Sequence, residues 1–361
     1  MIKTSLFQTT VVGSMPRTLF VVDLLRPDTI KRIGEKAALD KMNSAIKFMI
    51  AMMENTGIDI ITDGEWRRVS YTGVVSQMLD GFIDGTEFKS GRGADLGAAG
   101  HQFVVEPIHN QRHFIANEAA FVKANTDRMV KVCLPSPFIL GQRMWHPEES
   151  VKAYPTRRDF VKATVPVLRA ELEAIQDTGV DIVQIDEPHL SSFCDPKARK
   201  HFDDPDTDLD FLVECLNDVV SGFDEITFAV HVCRFNRGRA GTTNYGGYEP
   251  IIPALNKLNV DQFTLEFAIP QAGDMEILRL LREDVDIAVG CVDCRSSEID
   301  SPNQIVERVE RAMKFLPKER ILLTPDCGFG PGAGMKIPLD EAYTKLKNET
   351  AAAHILRERY G

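Results

Sequence analysis

His231 and Cys233 stand two residues apart in the run Thr-Phe-Ala-Val-His-Val-Cys, near the middle of a 361-residue chain. On a β-strand, residues i and i+2 project to one face, so an imidazole and a thiol would enter one space, as two ligands of a Zn²⁺ ion do. Glu266 closes a second apolar run, Phe-Thr-Leu-Glu, and Cys327 follows a third, Leu-Leu-Thr-Pro-Asp-Cys. One nitrogen, two sulfurs and a carboxylate from three strand ends make a candidate metal centre. The pair by itself also reads as a hydrogen-bonded core histidine beside a small buried apolar residue, because both types are common in interiors.

Two further acids, Glu65 and Asp186, end other β-branched runs. They suit the ammonium group of an amino-acid substrate, or a general acid and base; structurally, Arg67, Arg68 or other cations would pair with them. Cys291 and Cys294 form a C-x-x-C, but on a strand i and i+3 face opposite ways, so both read as packing residues. Trp145 is either a stacking platform for a flat ligand or a packed loop aromatic. The glycine clusters at 246–247 and 331–334 match neither the Walker nor the dinucleotide-binding pattern.

The elements that must carry these groups repeat a pattern of amphipathic stretch, short turn and compact apolar run. Residues 37–57 and 157–179 show helical spacing, each closed by a glycine, and lead into Ile-Asp-Ile-Ile and Val-Asp-Ile-Val. Those two junctions are near copies, which points to one shared turn geometry. Strand-like runs fall near 9–14, 58–64, 130–137, 181–187, 226–233, 261–266, 286–293 and 320–326. Helical patterns separate most of them, including 206–220, 272–283, 302–316 and 339–359. Eight strands alternating with helices predict an α/β fold, a (β/α)₈ TIM barrel, whose chemistry sits at the C-terminal strand ends. The glycine-rich stretch 78–128 breaks the alternation and reads as an inserted hairpin or lid between strands two and three. No linker divides the chain, so residues 1–361 are expected to form one domain.

Composition narrows the class. A net charge of −11 argues against nonspecific nucleic-acid binding. No apolar run approaches the length of a membrane span, and the first residues lack a secretory pattern. Seven scattered cysteines do not form a disulfide framework, so the expected compartment is the reducing cytoplasm.

The ordered set Thr-Thr-Val-Val-Gly-Ser-Met-Pro-Arg (9–17), Asp-Gly-Glu (63–65), Gln-Ile-Asp-Glu-Pro (184–188), His-Val-Cys (231–233), the Glu266 strand, Val-Asp-Cys-Arg-Ser (292–296) and Pro-Asp-Cys-Gly (325–328) resembles the catalytic barrel of cobalamin-independent methionine synthase. The chain looks like a short, single-barrel relative, lacking the N-terminal barrel of full-length members. His-Val-Cys-Arg and Gly-Gly-Tyr-Glu-Pro (246–250) are wording shared with some short relatives. The resemblance implies zinc as cofactor, with His231, Cys233, Glu266 and Cys327 as ligands. It implies that Gly13, Ser14, Glu65 and Asp186 hold the amino-acid part of homocysteine, and that a methyl donor is the other small-molecule partner. Full-length relatives carry a histidine where Arg295 stands here, thought to help protonate the departing folate. Arginine stays charged and cannot deliver that proton. Arg295 therefore suits an anionic group, and a methylated corrinoid, a corrinoid protein or another alkyl donor competes with methyltetrahydrofolate. Alternatives on the same barrel are an alkyl transferase using another thiol, such as coenzyme M, and a zinc hydrolase or lyase with Asp186 or Glu65 as base.

Overall fold

The computed structural model describes residues 5–84, 102–330 and 337–361. Its strands are β1 (Ile60–Ile61), β2 (Asp80–Asp84), β3 (Gln102–His109), β4 (Met129–Pro135), β5 (Ile182–Asp186), β6 (Thr227–His231), β7 (Gln262–Glu266), β8 (Asp286–Val292) and β9 (Ile321–Pro325). Seven of them form a curled parallel sheet in the order β1-β4-β5-β6-β7-β8-β9. At its two edges, Thr10 bridges to Ile60 and Thr9 to Leu323, both parallel. The expected first strand is thus a pair of single bridges, and the second is only two residues long. β2 and β3 pair antiparallel inside the stretch read as an insertion. The segment 85–101 between them, like the glycine cluster at 331–334, lies outside the described residues.

The helices follow from spacing and capping. Helix Glu35–Thr56 buries Met42, Ile46, Met49 and Met53, a row three and four residues apart, and ends at Gly57 with φ 89°. Helix Arg157–Gln176 opens with a capping box between Thr156 and Asp159. The C-terminal helix runs Leu339–Tyr360, close to its expected bounds. The expected helix at 272–283 is instead a 3₁₀ segment, Met275–Leu280, in a stretch that carries Pro270 and Gly273.

The near-copy junctions have a common cause. The aspartate opening each strand turns back to hydrogen-bond a backbone N–H of the preceding one. Asp59 accepts from Thr9 N at 2.8 Å, Asp181 from Val130 N at 2.8 Å and Asp261 from Phe228 N at 2.8 Å. Each fixes strand register, and register decides which side chains face inward. On the concave side Ile60, Ile182, Ala229, Ala288 and Leu322 form a small apolar layer separate from the main core. Two and four residues further along the same strands come Gln184, Asp186 and His231.

Candidate metal centre and adjoining carboxylates

His231 ends β6, Cys233 lies two residues beyond it, Glu266 ends β7, and Cys327 lies two residues beyond β9. One ligand atom from each lies within 4.8 Å of all the others. The Cys233 and Cys327 sulfurs are 3.5 Å apart. His231 Nδ1 lies 3.2 Å from the Thr264 carbonyl, which can only accept, so Nδ1 carries the proton. Nε2 is sealed from solvent and has no hydrogen-bond partner; burial lowers the imidazole, but Cys233, Asp186 and Glu266 outweigh it and bring it to about 9, so Nε2 must release a proton to ligate a metal. A ligating histidine is oriented in just this way, by a hydrogen bond on its other nitrogen.

Electrostatics divides the two thiols. The hydrogen bond with Cys327 draws the Cys233 thiol well below its ordinary value, outweighing burial, with His231 adding. The same contact, with burial, pushes Cys327 well up. Cys327 therefore donates to a Cys233 thiolate. Burial raises the carboxyl of Glu266 and the guanidinium of Arg295 opposes it. An imidazole nitrogen without a hydrogen-bond partner, two sulfurs that share one contact, and a carboxylate converge on one point. That donor set fits Zn²⁺.

Arg295 sits behind Glu266. Its Nη2 donates to Glu266 Oε2 at 2.6 Å and its Nη1 to Asp326 Oδ2 at 3.3 Å. Two protein carboxylates thus take the fork that the sequence reading assigned to an anionic substrate group. Asp326 Oδ1 also accepts from the backbone of Phe267 (2.9 Å) and Ala268 (2.8 Å), holding the loop beyond Glu266.

A second constellation lies beside the first. Single atoms of Glu65, Cys133 and Asp186 fall within 4.8 Å of one another. Gly64 (φ 70°) and Glu65 (φ 57°) both take left-handed backbone, uncommon for a glutamate and a mark of a position fixed by its surroundings. Gly13 must be glycine: a Cβ there would lie 2.5 Å from Glu65 Oε1 and 2.9 Å from Cys133 Sγ. The next residue, Ser14, accepts from Phe329 N through its carbonyl at 2.8 Å, joining this corner to the Cys327 loop. Asp186 accepts from Gln184 Nε2 at 2.7 Å. Burial pushes Asp186 up to about 7, with the charge of His231 and the Gln184 hydrogen bond opposing and Glu65 adding. Burial likewise raises Glu65, opposed chiefly by Arg68 at 3.8 Å.

Trp145 is committed to its own loop. Its Nε1 donates to the Tyr154 carbonyl at 2.9 Å and the Arg157 guanidinium lies 5.9 Å from the ring centroid. Cys291 and Cys294 are buried packing residues, as their spacing suggested. Sequence reasoning missed Cys133 and the pair beneath it, Lys131 and Gln184, whose Nζ and Oε1 are 3.0 Å apart. The available signal was alternation: Lys131 and Cys133 share the inward face of β4, as Gln184 and Asp186 share that of β5.

The comparisons agree with this architecture. The chain matches the family described as cobalamin-independent synthase, catalytic domain, over residues 7–355. It is 26% identical over 353 residues to a methionine synthase of Pyrococcus horikoshii, covering 97% of this chain and 93% of that one. It is 24% identical over 360 residues to a methionine synthase of Sulfolobus acidocaldarius, covering 98% and 93%. Its fold is similar to that of a B12-independent methionine synthase from Shewanella sp. W3-18-1, solved with selenomethionine, with a TM-score of 0.79, 22% identity and coverage of 98% and 99%. The protein is a member of the cobalamin-independent synthase catalytic-domain family.

Proposed function

We propose that this protein is a zinc-dependent methyltransferase that moves a methyl group onto the thiol of homocysteine to give methionine. The observation that carries the reading is the convergence of His231, Cys233, Glu266 and Cys327 on one point beside the Glu65–Asp186 pair. A metal centre next to two buried carboxylates suits a substrate carrying both a thiol and an ammonium group. The scaffold we propose is a closed (β/α)₈ barrel, with residues 9–10 bridging β9 to β1 as the eighth position, one domain throughout, and the β2–β3 pair as an inserted hairpin.

His231, Cys233, Glu266 and Cys327 would hold Zn²⁺, whose charge, when bound, keeps a thiol that is ordinarily protonated at neutral pH in its ionised form. The chain's own residues do the rest. Glu65 and Asp186 receive the ammonium group, and Gly13 and Ser14 shape the floor beneath it. Gln184 holds the Asp186 carboxylate by its amide. Arg295 holds Glu266 Oε2, so that this carboxylate would keep a counterion if an entering thiol took its place on the metal. The methyl donor is methyltetrahydrofolate or another small donor such as a methylcorrinoid, free or protein-bound. Arg295 itself moves no proton.

Zinc stoichiometry and X-ray absorption at the zinc edge, with and without L-homocysteine, test the reading. One zinc per chain and one added sulfur neighbour on homocysteine is the expected result. Zinc that ignores homocysteine but responds to coenzyme M would move the acceptor to that thiol, and zinc-free protein would remove the central claim.

A further inference from the structure

Two stretches that the proposed function leaves unused, His-Val-Cys-Arg (231–234) and Gly-Gly-Tyr-Glu-Pro (246–250), meet behind Glu266 through Arg234 and Tyr248. Strand β6 leaves the sheet just beyond His231. The last pair of the β6–β7 ladder is His231 with Thr264, and Val232 N bonds the Thr264 carbonyl at 3.1 Å. A strand residue turns its own N–H and C=O toward the same neighbour. Glu266, two places after Thr264, therefore presents both groups to the gap that β6 has left. Tyr248 fills that gap. Its hydroxyl accepts from Glu266 N at 2.9 Å and donates to the Glu266 carbonyl, 3.2 Å away. One phenol thus continues the ladder at the residue whose carboxylate belongs to the candidate metal centre.

Tyr248 is fully buried and is itself held in place. The Arg234 guanidinium lies 4.5 Å from its ring centroid, and Phe267, the residue after Glu266, meets the ring edge-on at 5.5 Å. Arg234 is also fully buried, and it donates to the carbonyls of Gly246 at 2.7 Å and Ala272 at 3.1 Å. That fork ties the loop before Tyr248 to the loop after Glu266. Glycine permits the close approach: a Cβ on Gly246 (φ 107°) would lie 2.7 Å from the Cys194 carbonyl oxygen, and one on Gly273 would lie 2.6 Å from Gly247 Cα. The main chain of the same arginine reaches the carboxylate directly, since Arg234 N donates to Glu266 Oε1 at 2.8 Å while Arg295 holds Oε2. All four polar groups of Glu266, two main-chain and two side-chain, have protein partners. A carboxylate oxygen accepts at two lone pairs, so these bonds leave it able to ligate and fix where it is aimed.

We propose that Arg234 and Tyr248 are positioning residues for Glu266. The phenol sets the main chain of the glutamate; the arginine holds the phenol and, through its own peptide N–H, one carboxylate oxygen. The inference rests on the metal-centre reading above and adds what aims its oxygen ligand. Removing the phenol hydroxyl leaves all four candidate ligand groups intact, so its effect on metal affinity passes through the placement of Glu266.

Zinc affinity, measured by competition against a chelator of known affinity, tests this in a double-mutant cycle of Tyr248→Phe and Glu266→Ala. Tyr248→Phe should weaken zinc binding about tenfold, the scale of one buried hydrogen bond. In the Glu266→Ala background the same change should cost at most about twofold, because no carboxylate is left to aim. Cobalt(II) in place of zinc gives a spectroscopic reading of the same cycle. Tyr248→Phe should shift the ligand-field bands when Glu266 is present and leave them unmoved in the Glu266→Ala background. Arg234→Lys keeps the charge and the peptide N–H but loses the fork to two carbonyls. It should weaken zinc about threefold, again only when Glu266 is present, and it carries the test if Tyr248→Phe does not fold. Equal penalties in both backgrounds would make the pair a general support of the fold and overturn the proposal, as would no penalty in either. Wild-type protein that takes no zinc would fail the metal-centre reading and this inference with it, whereas zinc-binding protein with additive penalties would fail this inference alone.

Discussion

Replacing Arg295 with methionine tests how the candidate metal centre balances charge. In the wild type the guanidinium lies 2.6 Å from Glu266 and 3.3 Å from Asp326, both fully buried. At a charge separation of about 4 Å and an effective dielectric near 20, each such pair is worth about 4 kcal/mol before desolvation is counted. Removing one partner of a buried pair costs about 3–5 kcal/mol, because the other charge is left without a counterion. Arg295→Met should therefore destabilise the metal-free protein by roughly that amount. Burial already raises the Glu266 carboxyl, and losing the arginine raises it further. A carboxyl raised in the folded state contributes stability present below its unfolded pKa and lost as pH rises through the folded value, so the deficit should grow as pH rises through that value. Zinc reverses part of the effect, since it supplies charge to Glu266 but not to Asp326. If about half is restored, some 2 kcal/mol, zinc affinity rises about 30-fold in the variant. Chemical denaturation of chelator-treated protein, together with zinc competition against a chelator of known affinity, measures both quantities. Unchanged or weaker zinc binding, or a metal-free loss below about 1 kcal/mol, would refute this account of Arg295.

Other outcomes follow from the same geometry. Cys327→Ser should lower zinc content well below one per chain while leaving the circular dichroism spectrum intact, because it removes one of four convergent ligands without touching a strand. Asp186, pushed up to about 7, should make kcat/KM for homocysteine fall about tenfold per pH unit below that value, as protonation removes the charge that meets the ammonium group; Asp186→Asn should lower kcat/KM and flatten that limb. Lys131→Met removes the 3.0 Å donor to Gln184 Oε1, leaving the Val12 carbonyl (2.9 Å) and the Thr264 hydroxyl (3.4 Å) to hold the amide, and should raise KM for homocysteine about threefold with little change in kcat, separating positioning from chemistry. Gly13→Ala drives a methyl to 2.5 Å from Glu65 Oε1 and should impair homocysteine binding with zinc content unaffected, read by zinc analysis and a thiol titration.

The four candidate ligands that the structure brings within 4.8 Å of one another were legible in the chain because each follows an apolar strand run, where period-two alternation assigns a face without knowledge of the fold. His231 and Cys233 share a face by spacing alone, and Glu266 and Cys327 occupy equivalent positions on other strands. The aspartates that open strands were visible as repeated wording, and Asp59 and Asp181 turned out to fix register by bonding the neighbouring strand. The glycines closing the long helices were equally plain, since few residues other than glycine take positive φ readily at such positions.

Sequence by itself determined which residue types stand at the strand ends, and therefore that a nitrogen–sulfur–oxygen donor set was available to a soft divalent metal. Only the tertiary structure decided what occupies each of those groups. Arg295 looks like a free cation in one dimension and is bound by Glu266 and Asp326 in three. Periodicity reports the direction of a side chain relative to its own strand. Charge compensation is a sum over neighbours brought together from distant parts of the chain, and no local pattern carries that sum.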